Sequence, residues 1–348
     1  MHGLAPALAA VVLALVAAGC GGADDEASTR HGFADGYSVT AALAELPYAE
    51  PRGRTQVIVM TGDLEKATEL AGLERPSSSD PKQVGEWGRA LNGDVTLPAG
   101  ESLGLNTVVQ DAAGATLGFT AADVRFFVEL RDSLDRFSVQ SLYESAEVSD
   151  DLPTTGGLRT TGEGEPGSLN KDPASFAQFP LVNVLDTKGH QVAFATEASK
   201  VEDWQAGTGR RLVRDQKLAE IAAALDHRSV YAAYLVEGSF DQFRGHPPDE
   251  AIDEKFDAVG VGLDLDDEVP VVHVAYWFRH DAEGATEQVE RVWKGLSRRT
   301  NRPLSDYVEV RGSEHAGHVV TVDLVAADAG PGVVLQMLTA ADTPFQGE

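Results

Sequence analysis

One cysteine, Cys20, stands in the whole 348-residue chain. No internal disulfide can form, and no zinc or iron–sulfur site can be built on cysteine pairs. Positive charge is scarce too. Lys and Arg number 28 against 55 Asp and Glu, for a formal net charge of −27. Such a surface repels nucleic-acid phosphate and anionic lipid headgroups, so no nucleic-acid partner is expected. The apolar run from Leu4 to Ala18 falls short of the ~20 residues a spanning helix needs. No G-x-G-x-x-G loop, P-loop, kinase signature or paired-cysteine motif occurs, so no cofactor is expected.

What is present begins at the front. Met1 to Gly19 contains no Asp, Glu, Lys or Arg, and the apolar run ends in Ala17-Ala18-Gly19-Cys20. A short apolar stretch closed by small residues reads as a secretory signal, because a signal peptidase must admit an extended chain at the cut. On these residues alone Cys20 is either an acylation site or an incidental thiol. Residues 20–36 are rich in Gly, Asp, Ala and Ser without apolar periodicity, which reads as a flexible tether. Apolar residues make up 43% of the chain, enough for a sizeable core.

Beyond the tether, strand and helix patterns alternate. Gln56 to Thr61 reads as a strand, followed by a helix capped by Asp63. Val124 to Leu130, Phe137 to Leu142, and the pair flanking Lys188-Gly189 read as further strands. Leu218, Ile221, Ala222 and Leu225 form a helical stripe. Phe256 to Leu265 and Val269 to Phe278 read as a hairpin. Alternation puts Val259, Val261 and Leu263 on one face of its first strand, and Val272, Val274, Tyr276 and Phe278 on one face of its second. A helix from Asp281, a hairpin from Tyr307 to Val325 and a helix over Gly332 to Ala341 complete the chain. The expected class is α+β, with antiparallel sheets from β-hairpins and helices packed on one face. Domains are expected at 37–228 and 229–348. The segment Val57 to Glu65 resembles Ala232 to Asp241: strand, Gly, small polar residue, large apolar residue, acid. True duplication and generic chain grammar both account for it.

Four constellations could carry chemistry. Gly100-Glu101-Ser102-Leu103-Gly104 matches the nucleophile elbow G-x-S-x-G, which needs a strand before the serine and a helix after it. Leu97-Pro98-Ala99 and Leu105 to Val109 read as loop and then strand, which favours an ordinary glycine-rich loop. His315 and His318 sit at a hairpin turn without the further ligands zinc requires, and Asp264 to Glu268 lacks the calcium-loop glycine, so no metal is expected. His273 and Trp277 project from the opposite face to Val272 and Val274, beside Gly260 and Gly262. Bare glycines next to large aromatics can leave a ligand groove, or the aromatics can simply cover the backbone.

Leu15-Val16-Ala17-Ala18-Gly19-Cys20 resembles the lipobox of bacterial lipoproteins. With the acidic globule, Val272 to Trp277 and the ending Asp342-Thr343-Pro344-Phe345, the layout is similar to lipoproteins of high-GC Gram-positive (actinobacterial) bacteria. The resemblance implies cleavage after Gly19 and acylation of Cys20, with the globule on the extracytoplasmic face of the cell membrane. It implies no catalytic residues. Two functions are then expected to compete. One is a non-catalytic module binding a cell-envelope protein, peptide or apolar ligand; the other is a serine hydrolase using Ser102.

Overall fold

Strand β10, Val269–Phe278, sets the architecture because it is buried on both faces and, beside His273, carries no Asp, Glu, Lys or Arg. Every residue from Val271 to Phe278 is buried. It pairs with β9, Phe256–Asp266, placing Val272, Val274 and Tyr276 opposite Leu263, Val261 and Val259. A strand largely apolar on both sides must be covered on both sides. The computed structural model describes residues 32–346 other than 99–102, 104, 106, 134, 161–183, 241–251, 253, 267–268, 281 and 327–329. Cys20 and most of the expected tether lie outside the described residues.

The remaining strands are β1 Gln56–Asp63, β2 Val124–Asp132, β3 Asp135–Leu142, β4 Thr154–Thr155, β5 Leu158–Thr160, β6 Val184–Lys188, β7 Gln191–Ala195, β8 Ala232–Gly238, β11 Val308–Ala316 and β12 Val319–Ala326. All twelve join one antiparallel sheet in the order β11-β12-β10-β9-β8-β1-β2-β3-β7-β6-β5-β4. The helices are α1 Val39–Glu45, α2 Leu64–Leu70, α3 Pro81–Asp94, α4 Thr107–Leu117, α5 Ala198–Ala206, α6 Gln216–Asp226, α7 Thr286–Trp293 and α8 Gly332–Thr339. The antiparallel α+β class is thus as expected, but the helices are not confined to one face. Residues of α1, α5 and α6 pack in one core with Val57, Val59, Ala233, Leu235, Ala275 and Trp277. Residues of α2, α3, α4, α7 and α8 pack on the other side with Val259, Val272, Val274 and Tyr276.

Read outward from the seam between β1 and β8, the two directions match: β1-β2-β3-β7-β6 one way, β8-β9-β10-β12-β11 the other. Apart from the added pair β4–β5 at the outer edge of the first, each half is one strand followed by two hairpins, with the second strand of the later hairpin innermost. The two segments that resemble each other in sequence contain β1 and β8 themselves. Aligned on Gly62 and Gly238, they make Val59 the equivalent of Leu235, and these two residues also pair across the seam. Pairing of equivalent residues is what a local two-fold requires. The halves differ in their insertions: α2, α3 and α4 separate β1 from β2, whereas only 239–255 separate β8 from β9. His31–Glu348 form one compact unit, and the boundary expected at 228/229 falls inside it, where the sheet is continuous.

Candidate functional site

His273 and Trp277 lie on β10 facing α6, each only 7% exposed. The groove expected over Gly260 and Gly262 is filled. A Cβ on Gly262 would stand 2.7 Å from Val230 Cγ1 and 2.9 Å from Leu225 Cδ2, and one on Gly260 would collide with Ile221. The glycines exist so that α6 can approach the sheet closely. Around them the polar atoms tie elements together. His273 Nδ1 lies 2.7 Å from Asp323 Oδ1, and Arg228 Nε donates to that same oxygen at 2.8 Å. Arg228 Nη2 also reaches Glu314 at 2.7 Å. Trp277 Nε1 donates to Glu220 of α6 at 2.8 Å, and its ring lies 5.2 Å from that of His318. His273 Nε2 is buried without a hydrogen-bond partner among the described residues.

A concave site does occur on the other face, over the β1–β8 seam. Gln56, Ile58, Tyr234, Val236, Ser239 and Phe240 form its floor and wall, and Leu338, Thr339 and Ala341 at the end of α8 close it. Its volume is about 180 Å³. Ile58, Val236, Phe240 and Leu338 are apolar. Gln56 Nε2 donates to the Ser239 carbonyl at 3.0 Å, which holds the amide at the rim. Burial raises the Tyr234 phenol above its ordinary value, with Arg131 opposing and Glu129 reinforcing, so it stays a protonated donor at neutral pH. Among the described residues, no side chain lining the cavity is charged. The one cue in the sequence was Tyr234, a polar-tipped side chain within the otherwise apolar Ala232 to Val236.

None of the described residues of the other constellations lines this cavity. Ser102 lies outside the described residues, as do Gly100, Glu101 and Gly104. Of the expected strand over Leu105 to Val109, Thr107 to Val109 instead begin α4, while Thr96 to Pro98 form no strand. Helix wins there because Ala112, Ala113 and Ala115 carry the segment past its β-branched start. His315 is the penultimate residue of β11 and exposed, whereas His318 Nδ1 faces the His280 carbonyl at 3.2 Å. Asp264 and Asp266 end β9; Asp267 and Glu268 lie outside the described residues. No group of three or more metal-ligating side chains comes together among the described residues.

No protein-family model and no curated protein matches the chain. Among solved structures, an aspartate kinase from Synechocystis is similar at 10% identity, over 83% of this chain and 54% of that one. The present chain thus spans about half the length of that protein. With a TM-score of 0.14, the likeness carries no argument about fold or function.

Proposed function

We propose that the chain is a ligand-binding lipoprotein of the cell envelope, held on the extracytoplasmic face of the membrane by acyl chains on Cys20. Its ligand occupies the cavity over the β1–β8 seam. The observation that carries the binding role is that uncharged, mixed lining in a protein of net charge −27. Apolar walls supply affinity, and the Gln56 amide, Tyr234 phenol and Thr339 hydroxyl orient the ligand. Cavities on this scale admit one benzene-sized ring. The ligand class is therefore a small neutral molecule, or the neutral end of a larger one, with an apolar body and a hydrogen-bonding group. The anchoring role is supported by Ala17-Ala18-Gly19-Cys20. Among the described residues no helix is long and apolar enough to cross a membrane.

Phenol is a suitable probe. It is expected to bind saturably, with a negative heat-capacity change in calorimetry. Thr339→Trp, at an exposed position on the rim, is expected to abolish that binding by filling the cavity without disturbing the core. Binding unchanged in Thr339→Trp, or none in the parent protein, would overturn the reading.

A further inference from the structure

By composition residues 20–36 read as a tether, yet the turn of 3₁₀ helix Gly32–Asp35 near its end is fastened to the globule. Phe33 is the one aromatic residue within 20–36, and it is 3% exposed. Its ring lies 5.7 Å from that of Phe126 on β2 and 6.4 Å from that of Tyr37. Phe33 N donates to Glu45 Oε1 at 2.9 Å. That carboxylate, buried at the end of α1, also receives Gln191 Nε2 at 2.7 Å and Trp204 Nε1 at 2.9 Å. Gly32 is drawn against the same oxygen: a Cβ there would stand 1.9 Å from Glu45 Oε1. Among the described residues, one buried ring and one hydrogen bond thus hold the turn to the globule. Helix α1 behind it is pinned independently. Ser38 caps it, and Asp226 of α6 accepts from Val39 N and Thr40 N. Between the turn and α1 stands Gly36 at φ +109°, with open space where its Cβ would be.

We propose that Gly32–Asp35 is a detachable strap hinged at Gly36, docked in one state and returned to the tether in the other. Release exposes one ring and restores the freedom of the residues it held, two terms that oppose each other and are comparable in size. It orphans no buried charge, because Glu45 keeps Gln191 and Trp204 as donors. Glycine at the hinge adopts either sign of φ without strain. The consequence is a tether of two lengths. With the strap docked, residues 20–31 reach at most about 40 Å when extended. With it released, residues 20–36 reach about 60 Å. The strap therefore sets how far an anchored globule can stand from its membrane. That consequence rests on the reading of Cys20 as the anchor; the docking equilibrium does not.

Native-state hydrogen exchange on the chain from Gly21 onward, which keeps the compact unit, reads the strap through the amide at position 33. Its exchange should be at least about tenfold slower than in an unstructured peptide. That rate should hold at urea concentrations that already speed the amides of β1 and β8, because opening the strap exposes little surface. Phe33→Ala and Gly32→Ala should each bring the amide within about twofold of the unstructured rate. Ala34→Ser, at an exposed position of the same turn, should leave its protection within about twofold of the parent. The proposal is overturned by an unprotected amide in the parent, or by protection that falls with urea in step with the core. Protection unchanged in both Phe33→Ala and Gly32→Ala would overturn it too. Neutron reflectometry of the lipidated full chain on a supported bilayer should place the Phe33→Ala globule up to about 15 Å farther out than the parent. Equal profiles would overturn the change in reach. The anchor is read separately: Cys20→Ser in the full chain should release the protein from membranes, whatever the exchange shows.

Discussion

At the scale of single residues, Asp323 carries a disproportionate share of the polar structure. Its Oδ1 receives both His273 Nδ1 and Arg228 Nε. Burial works to raise the carboxyl, but the hydrogen bonds and charges of His273 and Arg228 outweigh it and hold Asp323 below its ordinary value. A carboxyl depressed in the folded state contributes stability that is fully present above its unfolded value of 3.8. That contribution disappears as pH falls through the lower folded value. Asp323→Asn should therefore cost about 1–2 kcal/mol at neutral pH, seen as a lower urea midpoint. The gap from the parent should close as both are taken below pH ~4. A gap that persists undiminished in acid would mean that the ionised carboxylate is not what stabilises the parent. The role of His273 could not be read from alternation. That pattern tells which face a side chain occupies, and says nothing of what covers it.

Among elements, strands were legible and some helices were not. Val259, Val261 and Leu263 lie on the face that their alternation assigns them, against Val272, Val274 and Tyr276. Asp63 caps α2 through Lys66 N, and Leu218, Ile221, Ala222 and Leu225 are the buried stripe of α6. Helix α3 was not anticipated, although Asp80 and Pro81 start it and Val84, Trp87 and Leu91 are buried at helical spacing. Gly88 and Gly93 inside it weaken the propensity that would have announced it. The cavity escaped notice for a different reason. Gln56, Tyr234 and Thr339 belong to three separate elements, and only the pairing of β1 with β8 and the return of α8 bring them together. The same return of distant chain explains why helices cover both faces: the all-buried run of β10 was visible, but α6 and α8 come from either side of it in sequence.

For the molecule as a whole, the seam is the organising feature. If the halves are equivalent, the second half isolated from the first carries a strand whose natural partner resembles itself. The chain from Leu212 to Glu348 should then form a dimer in which two copies of β8 pair about Leu235, as β1 and β8 pair about Val59 and Leu235. Sedimentation equilibrium should show a dimer that Leu235→Pro returns to monomer; a monomer in the parent half would speak against equivalence. The seam also has a consequence in time. Val59 meets a partner about half the chain length away, and loop closure on that scale is slow compared with forming the hairpins on either side. A chain delivered from its amino terminus presents β1 with a bare edge until β8 arrives, and bare edges recruit wrong partners. Order of delivery thus becomes part of the folding problem, since half the sheet can exist before the second edge of its central strand has a partner.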